Sequence, residues 1–305
     1  MFTSLFNLSK NGRKLLIVPA FFSILAIGSI LLWGLHPGID LTGGSLMQVS
    51  YENGRPSVEQ VRTAAQSAHL GEVRVQPTGK TGYILRQRDL TNDEKIALEE
   101  SLATLGPVHE DQFNSVGPVM GQELLRKGLI AMGLVSFCII LFIAFAFRKV
   151  SKPVASWKYG VIAIIALIHD ILIPVGLFAF LGYWRGAEVD SLFIVALLTI
   201  LGISINDTIV MFDRIRENLR INYEHNRRED FADTASRSIV QTLARSIDTS
   251  LTVVIVLAAL FLVGPVATKD FALTLIVGMI AGTYSSIFLA PQLLVEVATR
   301  QGQKK

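Results

Sequence analysis

Six long stretches of apolar residues constrain this chain more than any other feature of its sequence. Four of them carry no charged side chain, and the other two carry one aspartate each, Asp170 and Asp207. Each stretch covers about 20 residues or more, the length that an α-helix needs to cross a hydrocarbon core roughly 30 Å thick. The stretches are Leu15–Ile39, Gly128–Phe147, Tyr159–Trp184, Ser191–Phe212, Thr249–Thr268 and Phe271–Val295. The sequence therefore predicts a polytopic α-helical membrane protein with six transmembrane helices.

The charge content agrees with this prediction. Only 17% of the residues are charged, whereas an average soluble domain has about 25%. The first apolar stretch is longer than the core of a removable signal peptide, about 7–15 residues, and no A-x-A site follows it, so we expect an uncleaved anchor. The only cysteine, Cys138, lies inside the second stretch, which excludes a disulfide framework.

Basic residues set the predicted orientation, because segments on the cytoplasmic side of a membrane are enriched in lysine and arginine. They concentrate before the first span, between spans two and three, between spans four and five, and in the tail. The residues are Lys10, Arg13, Lys14, Arg148, Lys149, Lys152, Lys158, Arg214, Arg216, Arg220, Arg227, Arg228, Arg237, Arg245, Arg300, Lys304 and Lys305. Both termini are thus predicted to be cytoplasmic. This asymmetry accounts for the net charge of +3, and no nucleic-acid partner is implied.

The predicted domain boundaries follow the apolar stretches and the basic segments between them. They are a cytoplasmic N-terminus at 1–14; spans at 15–37, 126–147, 158–184, 191–213, 240–264 and 271–295; a domain outside the cytoplasm at 38–125; cytoplasmic segments at 148–157 and 214–239; outer loops at 185–190 and 265–270; and a cytoplasmic tail at 296–305.

The segment 38–125 is the only sizeable part outside the membrane, and its pattern predicts the order βαββαβ. The predicted strands are Ser45–Tyr51, Glu72–Gln76, Gly82–Gln87 and Val108–Val116. Ser57 with Gln60, and Thr91 with Glu94, have the spacing of capping boxes that begin two helices. This order is that of an α+β ferredoxin-like domain. The segment has no nucleophile motif and no metal-ligand spacing, so we expect binding rather than catalysis, and neither enzymatic activity nor a metal or organic cofactor.

Two aspartates and one arginine are predicted to meet inside the membrane. Asp170 and Asp207 lie about 18 Å and 12 Å from the cytoplasmic surface at ~1.5 Å per residue, and Arg245 lies about five residues into the fifth span. Ionisable groups inside a membrane are costly and usually functional. We therefore expect proton coupling through these three residues, with Asp248 and Thr249 as two further candidates. The supporting polar and small residues are Ser204, Asn206, Thr208, Thr252, Gly278, Gly282 and Ser285.

The predicted chemistry is a switchable pair. An aspartate and an arginine at Asp207 and Arg245 would lower each other's cost in lipid, and protonation of the acid would remove the attraction. One alternative is that these residues form static ion pairs that hold the helices together. An intramembrane aspartyl protease would also use two acids on consecutive spans, Asp170 and Asp207, but its GxGD motif is absent, since the sequence there reads SIND.

Six motifs in order resemble the SecD/SecF family, a branch of the RND transporter superfamily. They are GIDLTGG at 38–44, VGPVMGQEL at 116–124, HD at 169–170, SINDTIVMFDRIREN at 204–218, RSIDTSLT at 245–252 and GTYSSIFLA at 282–290. The family motif positions around the insert are Gly38, Asp40, Gly43, Gly44, Gly117, Pro118 and Gly121. The sequence departs from the family pattern at Asp248, where asparagine is usual, and at Ile203, where tyrosine is usual.

The resemblance implies a subunit of the bacterial Sec protein-export machinery in the cytoplasmic (inner) membrane. It implies an RND-type half that pairs with SecD and uses the proton-motive force to drive or complete translocation of unfolded preproteins. The implied partners are SecD, the SecYEG channel with SecA, YajC and YidC, the preprotein and membrane lipid, with protons as the coupling ion. Two other functions fit the same residues: a non-conducting scaffold or assembly subunit of the translocon, and half of an RND drug or lipid exporter.

Overall fold

The computed structural model describes residues 8–52, 54–146 and 154–302 of the chain. The basic residues Arg148, Lys149, Lys152, Lys304 and Lys305 lie outside the described residues. The chain forms two compact units. The helical unit comprises the described residues of 1–36, 130–187 and 192–305, and the insert unit comprises Pro37–Leu129 with Glu188–Ser191.

Helices dominate the described residues. In chain order they are α1 (Leu8–Leu15), α2 (Ile17–Trp33), α3 (Ile39–Thr42), α4 (Val58–Ser67), α5 (Asn92–Ala103), α6 (Pro118–Ala146), α7 (Ser156–Arg185), α8 (Ser191–Glu224), α9 (Phe231–Val263), α10 (Val266–Tyr284) and α11 (Ala290–Gly302). A π-helical turn at Ser285–Leu289 joins α10 to α11. The strands are β1 (Gly44–Tyr51), β2 (Arg74–Thr78), β3 (Gly82–Gln87) and β4 (Val108–Val116).

Five helices in the described part of the chain are long and apolar enough to cross a membrane. They are α6, α7, α8, α9 and the continuous helix from Val266 to Arg300. Helix α2 is apolar but shorter, with 17 residues. The chain is therefore a multi-pass membrane protein.

The predicted cytoplasmic segment 214–239 is mostly helical. Helix α8 continues to Glu224 and α9 already begins at Phe231. The extension of α8 carries intrahelical ion pairs, such as Arg214–Glu217 at 2.6 Å, which stabilise a helix where lipid no longer does. Buried Asn218 donates to Ser238 of α9 at 2.8 Å, so the two extensions are also joined by side-chain hydrogen bonds.

Small residues let the helices of the helical unit pack closely. Gly176 of α7 lies against Ala26 of α2, where any Cβ on the glycine would collide with the alanine backbone. The hydroxyl of Ser29 donates to the Gly176 carbonyl at 2.7 Å. Such contacts are typical of membrane helices, where close van der Waals packing and interhelical hydrogen bonds replace the hydrophobic effect.

The insert unit has the predicted βαββαβ order. Its four strands form one antiparallel sheet in the order β2-β3-β1-β4, with Met47 of β1 opposite Leu85 of β3 and Phe113 of β4. Strand β2 runs two residues later than predicted and includes Pro77, which an edge strand tolerates because it needs no hydrogen bond on its outer side. The core consists of strand and helix residues; its fully buried members include Met47, Val61, Ala65, Leu85, Leu98 and Leu102.

Both predicted capping boxes are present. Ser57 accepts from the Gln60 backbone and begins α4, and Thr91 accepts from the Glu94 backbone and begins α5. Glu94 also forms an ion pair with Arg88 at 2.5 Å. The hydrogen bond from Arg88, together with that from the Thr91 backbone, lowers the pKa of Glu94 to about 2.

This lowered pKa predicts a pH-dependent contribution to stability. Because the pKa of Glu94 falls from 4.5 to about 2 on folding, its contribution is present above about pH 4.5 and is lost as the pH falls towards 2. We expect Glu94→Gln to lower the melting temperature near neutral pH, and the difference from wild type to vanish at low pH. Thermal unfolding across this range checks it, with Glu100→Gln on the same helix as control. A pH-independent difference would contradict the prediction.

Candidate functional site

The centre of the candidate site is the Asp170 carboxylate of α7, whose exposed fraction is 0%. Ser285 of the π-helical turn donates to its Oδ2 at 2.8 Å, and Ser204 of α8 donates to the same oxygen. Nδ1 of His169 contacts Oδ1 at 2.9 Å. Hydrogen bonds to a charged group are roughly twice as strong as neutral ones. Three segments of the helical unit are therefore joined at one buried acid.

His169 has one ring nitrogen with a partner and one without. Since an ionised carboxylate can only accept, Nδ1 carries the proton whenever Asp170 is charged. Nε2 is then a buried acceptor, and it has no hydrogen-bond partner among the described residues. His169 therefore forms a hydrogen bond with Asp170, and no described residue continues a proton-transfer chain from its other ring nitrogen.

The stripe of small residues on α10 is what brings Ser285 to Asp170. A Cβ on Gly282 would lie 3.1 Å from both Cβ and Oγ of Ser204, and a side chain on Gly278 would collide with Ile200 of α8. The π-helical turn that follows adds one residue per turn and is a feature often found at functional sites. Gly278 and Gly282 therefore allow α10 to pack closely against α8.

Asp207 lies one helical turn beyond Ser204 on α8 and is buried, with an exposed fraction of 8%. Among the described residues, none makes a hydrogen bond or an ion pair with its side chain. The neighbouring Thr208 is also buried and donates to the Ser204 carbonyl at 3.2 Å, while Asn206 is exposed. Arg245 of α9 is near enough for its charge to influence Asp207, but the two described side chains do not form an ion pair.

The predicted polar stripe on α9 divides into two faces. Thr242, Ser246 and Ser250 are buried against the other helices. Arg245, Asp248, Thr249 and Thr252 are exposed, in company with apolar side chains such as Leu251 and Ile255. Only the first group faces the interior of the helical unit, so Asp248 and Arg245 do not join the acids of α7 and α8 there.

One contact was not anticipated from the sequence. The hydroxyl of Thr283 on α10 donates to that of buried Ser250 on α9 at 2.6 Å. The spacing of Thr242, Ser246 and Ser250, four residues apart, could have indicated a second polar face. The described residues contain no group of three or more His, Cys, Asp or Glu side chains that could hold a metal ion.

The family motif residues lie in the insert unit. Gly43 and Gly44 have φ of +81° and +138°, a region that favours glycine. A Cβ on Gly43 would collide with Pro118, and one on Gly121 would lie 2.6 Å from the Gly43 nitrogen. The Gly38–Gly44 motif and the Gly117–Gly121 segment therefore pack directly on each other.

Comparison with known proteins identifies one family over most of the chain. Residues 97–300 match the family described as protein export membrane protein SecD/SecF, C-terminal, and residues 34–54 match the SecD/SecF GG motif. The protein translocase subunit SecF of Thermobaculum terrenum is 43% identical over 280 residues, covering 87% of this chain and 86% of that protein. That of Anaerolinea thermophila is 37% identical, covering 93% and 92%.

A solved structure gives the same result. The crystal structure of SecDF, a translocon-associated membrane protein from Thermus thermophilus, is similar with a TM-score of 0.82 and 31% identity. The match covers 96% of this chain and 38% of that one.

The hydrogen bond from Ser285 predicts a loss of stability on its removal. We expect Ser285→Ala to lower the free energy of unfolding by roughly 1.5–3 kcal/mol, because a buried charge loses a donor. Thermal unfolding in detergent micelles measures it. The control is Ser286→Ala, which removes an equally buried hydroxyl whose one hydrogen bond to a described residue goes to the Thr283 carbonyl. Equal losses in the two variants would contradict the role of Asp170 as the shared acceptor.

Proposed function

The chain belongs to the SecD/SecF family of protein-export membrane proteins, as a SecF-type member, and from this premise we propose that it couples proton movement to preprotein translocation. It would do so with SecD, in the bacterial cytoplasmic (inner) membrane, with protons as the coupling ion. The observation that carries this proposal is Asp207. It is a buried carboxylate on a membrane helix, with a cation in electrostatic range and no hydrogen bond from any described residue.

The topology proposed for this function has six spans. Helix α2 would be the first, since its 17 residues reach about 25 Å at ~1.5 Å per residue. The insert, with its βαββαβ order and a sheet order expected of a ferredoxin-like domain, would lie outside the cytoplasm. The basic residues on the extensions of α8 and α9 support a cytoplasmic location for those ends and for both termini.

Protonation of Asp207 would change the forces inside the helical unit. The ionised form is attracted to Arg245 but lacks donors that would hold it in place, so neutralising it removes the main interaction of the charge. One proton crossing a potential of 100 mV releases about 2.3 kcal/mol, enough to shift a two-state arrangement of helices. Asp170 differs, because two hydroxyls and an imidazole already satisfy it, and it suits a fixed anchoring role.

The exposed face of α9 supports pairing with SecD. A charged residue at the centre of a membrane helix costs ~2.5–3.5 kcal/mol on insertion scales, and this face exposes both Arg245 and Asp248. Contact with protein or with water at a protein interface would offset that cost. The Thermus thermophilus SecDF is a longer single chain, and this chain matches 39% of its length. In that protein the part that resembles this chain is therefore covalently joined to additional protein. SecYEG with SecA, YajC and YidC, an unfolded preprotein and lipid complete the proposed surroundings.

Labelling of cysteines tests this pairing. Cys138 is first replaced by serine, and Thr252→Cys is then introduced on the exposed face of α9. We expect a lipid-soluble, photoactivated carbene reagent, which reacts with lipid-facing side chains, to label this position in the chain expressed alone and to be blocked when SecD is co-expressed. Leu32→Cys on α2, 75% exposed, is the control and should label equally in both cases. Equal labelling of Thr252→Cys with and without SecD would contradict the pairing.

The proton-carrying role is tested by Asp207→Asn in a complex with SecD. We expect the proton-dependent part of late translocation into vesicles, and proton flux, to fall by at least about tenfold, because the amide cannot change its charge. Asp213→Asn, the same substitution at an exposed position of the same helix, is the control and should keep both activities.

The satisfied hydrogen bonds of Asp170 favour a second candidate function, a non-conducting scaffold of the translocon. Unaltered flux and translocation in Asp207→Asn, in a complex that assembles normally, would support the scaffold and exclude the proton carrier.

A further inference from the structure

The segment that precedes helix α8 belongs to the insert unit, not to the helical unit. Glu188–Ser191 cluster with Pro37–Leu129, and Ser191 is the first residue of α8. Helix α8 is the helix that carries Ser204 and Asp207. The contacts made by these four residues therefore decide where that helix begins.

Asp40 of the Gly38–Gly44 motif holds the first residue of α8. Its Oδ2 accepts from the Ser191 hydroxyl at 2.6 Å and from the Ser191 backbone N–H at 3.3 Å. The first N–H groups of a helix have no partner within the helix, and a negative charge there is favourable to the helix dipole. Asp40 thus caps α8 from a distant part of the sequence.

The same motif holds Val189, two residues before Ser191, through its backbone. The Gly38 N–H donates to the Val189 carbonyl at 2.8 Å, and Pro37 forms a parallel bridge with Val189. Gly38 is itself buried, and a Cβ there would lie 3.2 Å from the Glu188 carboxylate and 3.4 Å from the Val189 carbonyl. A glycine at this position permits the close approach of the two segments.

An ion pair holds Glu188, the first residue of this segment. Nε of Arg86 on β3 lies 2.9 Å from Oε2 of Glu188, and the two side chains are only 16% and 13% exposed. Gln76 of β2 accepts from the same guanidinium at 2.7 Å, which fixes its orientation. Burial raises the pKa of Glu188, while the charges of Arg86 and Arg74 oppose that rise and Asp190 adds to it. Loss of one partner from such a pair leaves an uncompensated buried charge.

Gly43 and Gly121 let a second segment pack against the Gly38–Gly44 motif. Gly43 and Gly121 allow the Gly38–Gly44 motif to lie against the Gly117–Gly121 segment at the start of α6. The Gly38–Gly44 motif thus packs against the Gly117–Gly121 segment and also forms hydrogen bonds with the Glu188–Ser191 segment.

We infer that the Gly38–Gly44 motif, Arg86 and Glu188–Ser191 form a clasp that fixes the first turn of α8, with Asp40, Arg86 and Glu188 as positioning residues for the helix that bears Asp207. Helix α8 is continuous from Ser191 to Glu224, so the clasp holds the first residue of the helix that carries Asp207. The consequence for export rests on the proposed function; the clasp itself does not.

Hydrogen exchange in the purified complex with SecD tests the clasp independently of transport. We expect the amides of residues 191–194 to exchange about fivefold faster in Asp40→Ala, the effect of losing a helix cap. Asp40→Asn keeps an oxygen that can accept from Ser191 and should stay within about twofold of wild type. Arg86→Gln should also speed exchange. The double variant Arg86→Gln/Glu188→Gln should do so less than Arg86→Gln alone, because no buried charge is left unpaired.

Arg62→Gln is the control, since it removes an ion pair with Glu59 that lies on the surface of α4 and should not alter these amides. Unchanged exchange at 191–194 in both Asp40→Ala and Arg86→Gln would overturn the clasp.

Translocation measured on the same preparations tests the positioning role. We expect Asp40→Ala to lower proton-driven translocation severalfold and Asp40→Asn to restore it. Faster exchange with wild-type translocation, in a preparation where Asp207→Asn abolishes translocation, would overturn the positioning role and leave the proposed function intact. If Asp207→Asn itself leaves translocation unchanged, the proposed function fails, and the exchange data alone decide whether the clasp exists.

Discussion

The structure of the helical unit depends on the cost of placing a carboxylate where water is absent. At Asp170 that cost is met by donors from two other segments, Ser204 and Ser285, and by the neighbouring imidazole. The packing of α10 on α8 follows from it, since the serines reach the acid only if Gly278 and Gly282 leave room. A buried and hydrogen-bonded carboxyl group thus favours one arrangement of three helical segments.

Asp207 meets the same constraint differently. It is buried on α8, one turn beyond Ser204, yet no described residue donates a hydrogen bond to it. The two acids therefore differ in their surroundings: Asp170 accepts hydrogen bonds from two other segments, and Asp207 accepts none from a described residue.

Residues of the insert unit surround the first residue of α8. Asp40 and Gly38 form hydrogen bonds with Ser191 and Val189, and Arg86 forms an ion pair with Glu188, so the motif that flanks the first span also holds the segment that leads into α8. Helix α8 thus begins at Ser191, which Asp40 caps, and carries Ser204, which donates to Asp170, followed one turn later by Asp207.

The sequence by itself determined the class of protein and the local structure. Apolar stretches long enough to span lipid, capping boxes at Ser57 and Thr91, and the order of strands and helices in the insert follow from hydrophobic length, hydrogen-bond spacing and periodicity, all of which are local. It also indicated Asp170, Asp207 and Arg245 as candidates, because a charge in an apolar run is costly wherever it points. The coupling role of these residues stays a prediction.

Only the tertiary structure decided which side chains meet. Periodicity places Thr242 and Arg245 on adjoining positions of one helix, but the rotation of α9 against its neighbours buries the first and exposes the second. The stripe of α10 likewise predicts close packing without naming Ser204 as the neighbour of Gly282. Helix rotation and partner choice depend on the sum of contacts with several other segments, and the contact of Asp40 with Ser191 joins positions 151 residues apart. No local pattern contains that information, so it appears only once the chain has packed.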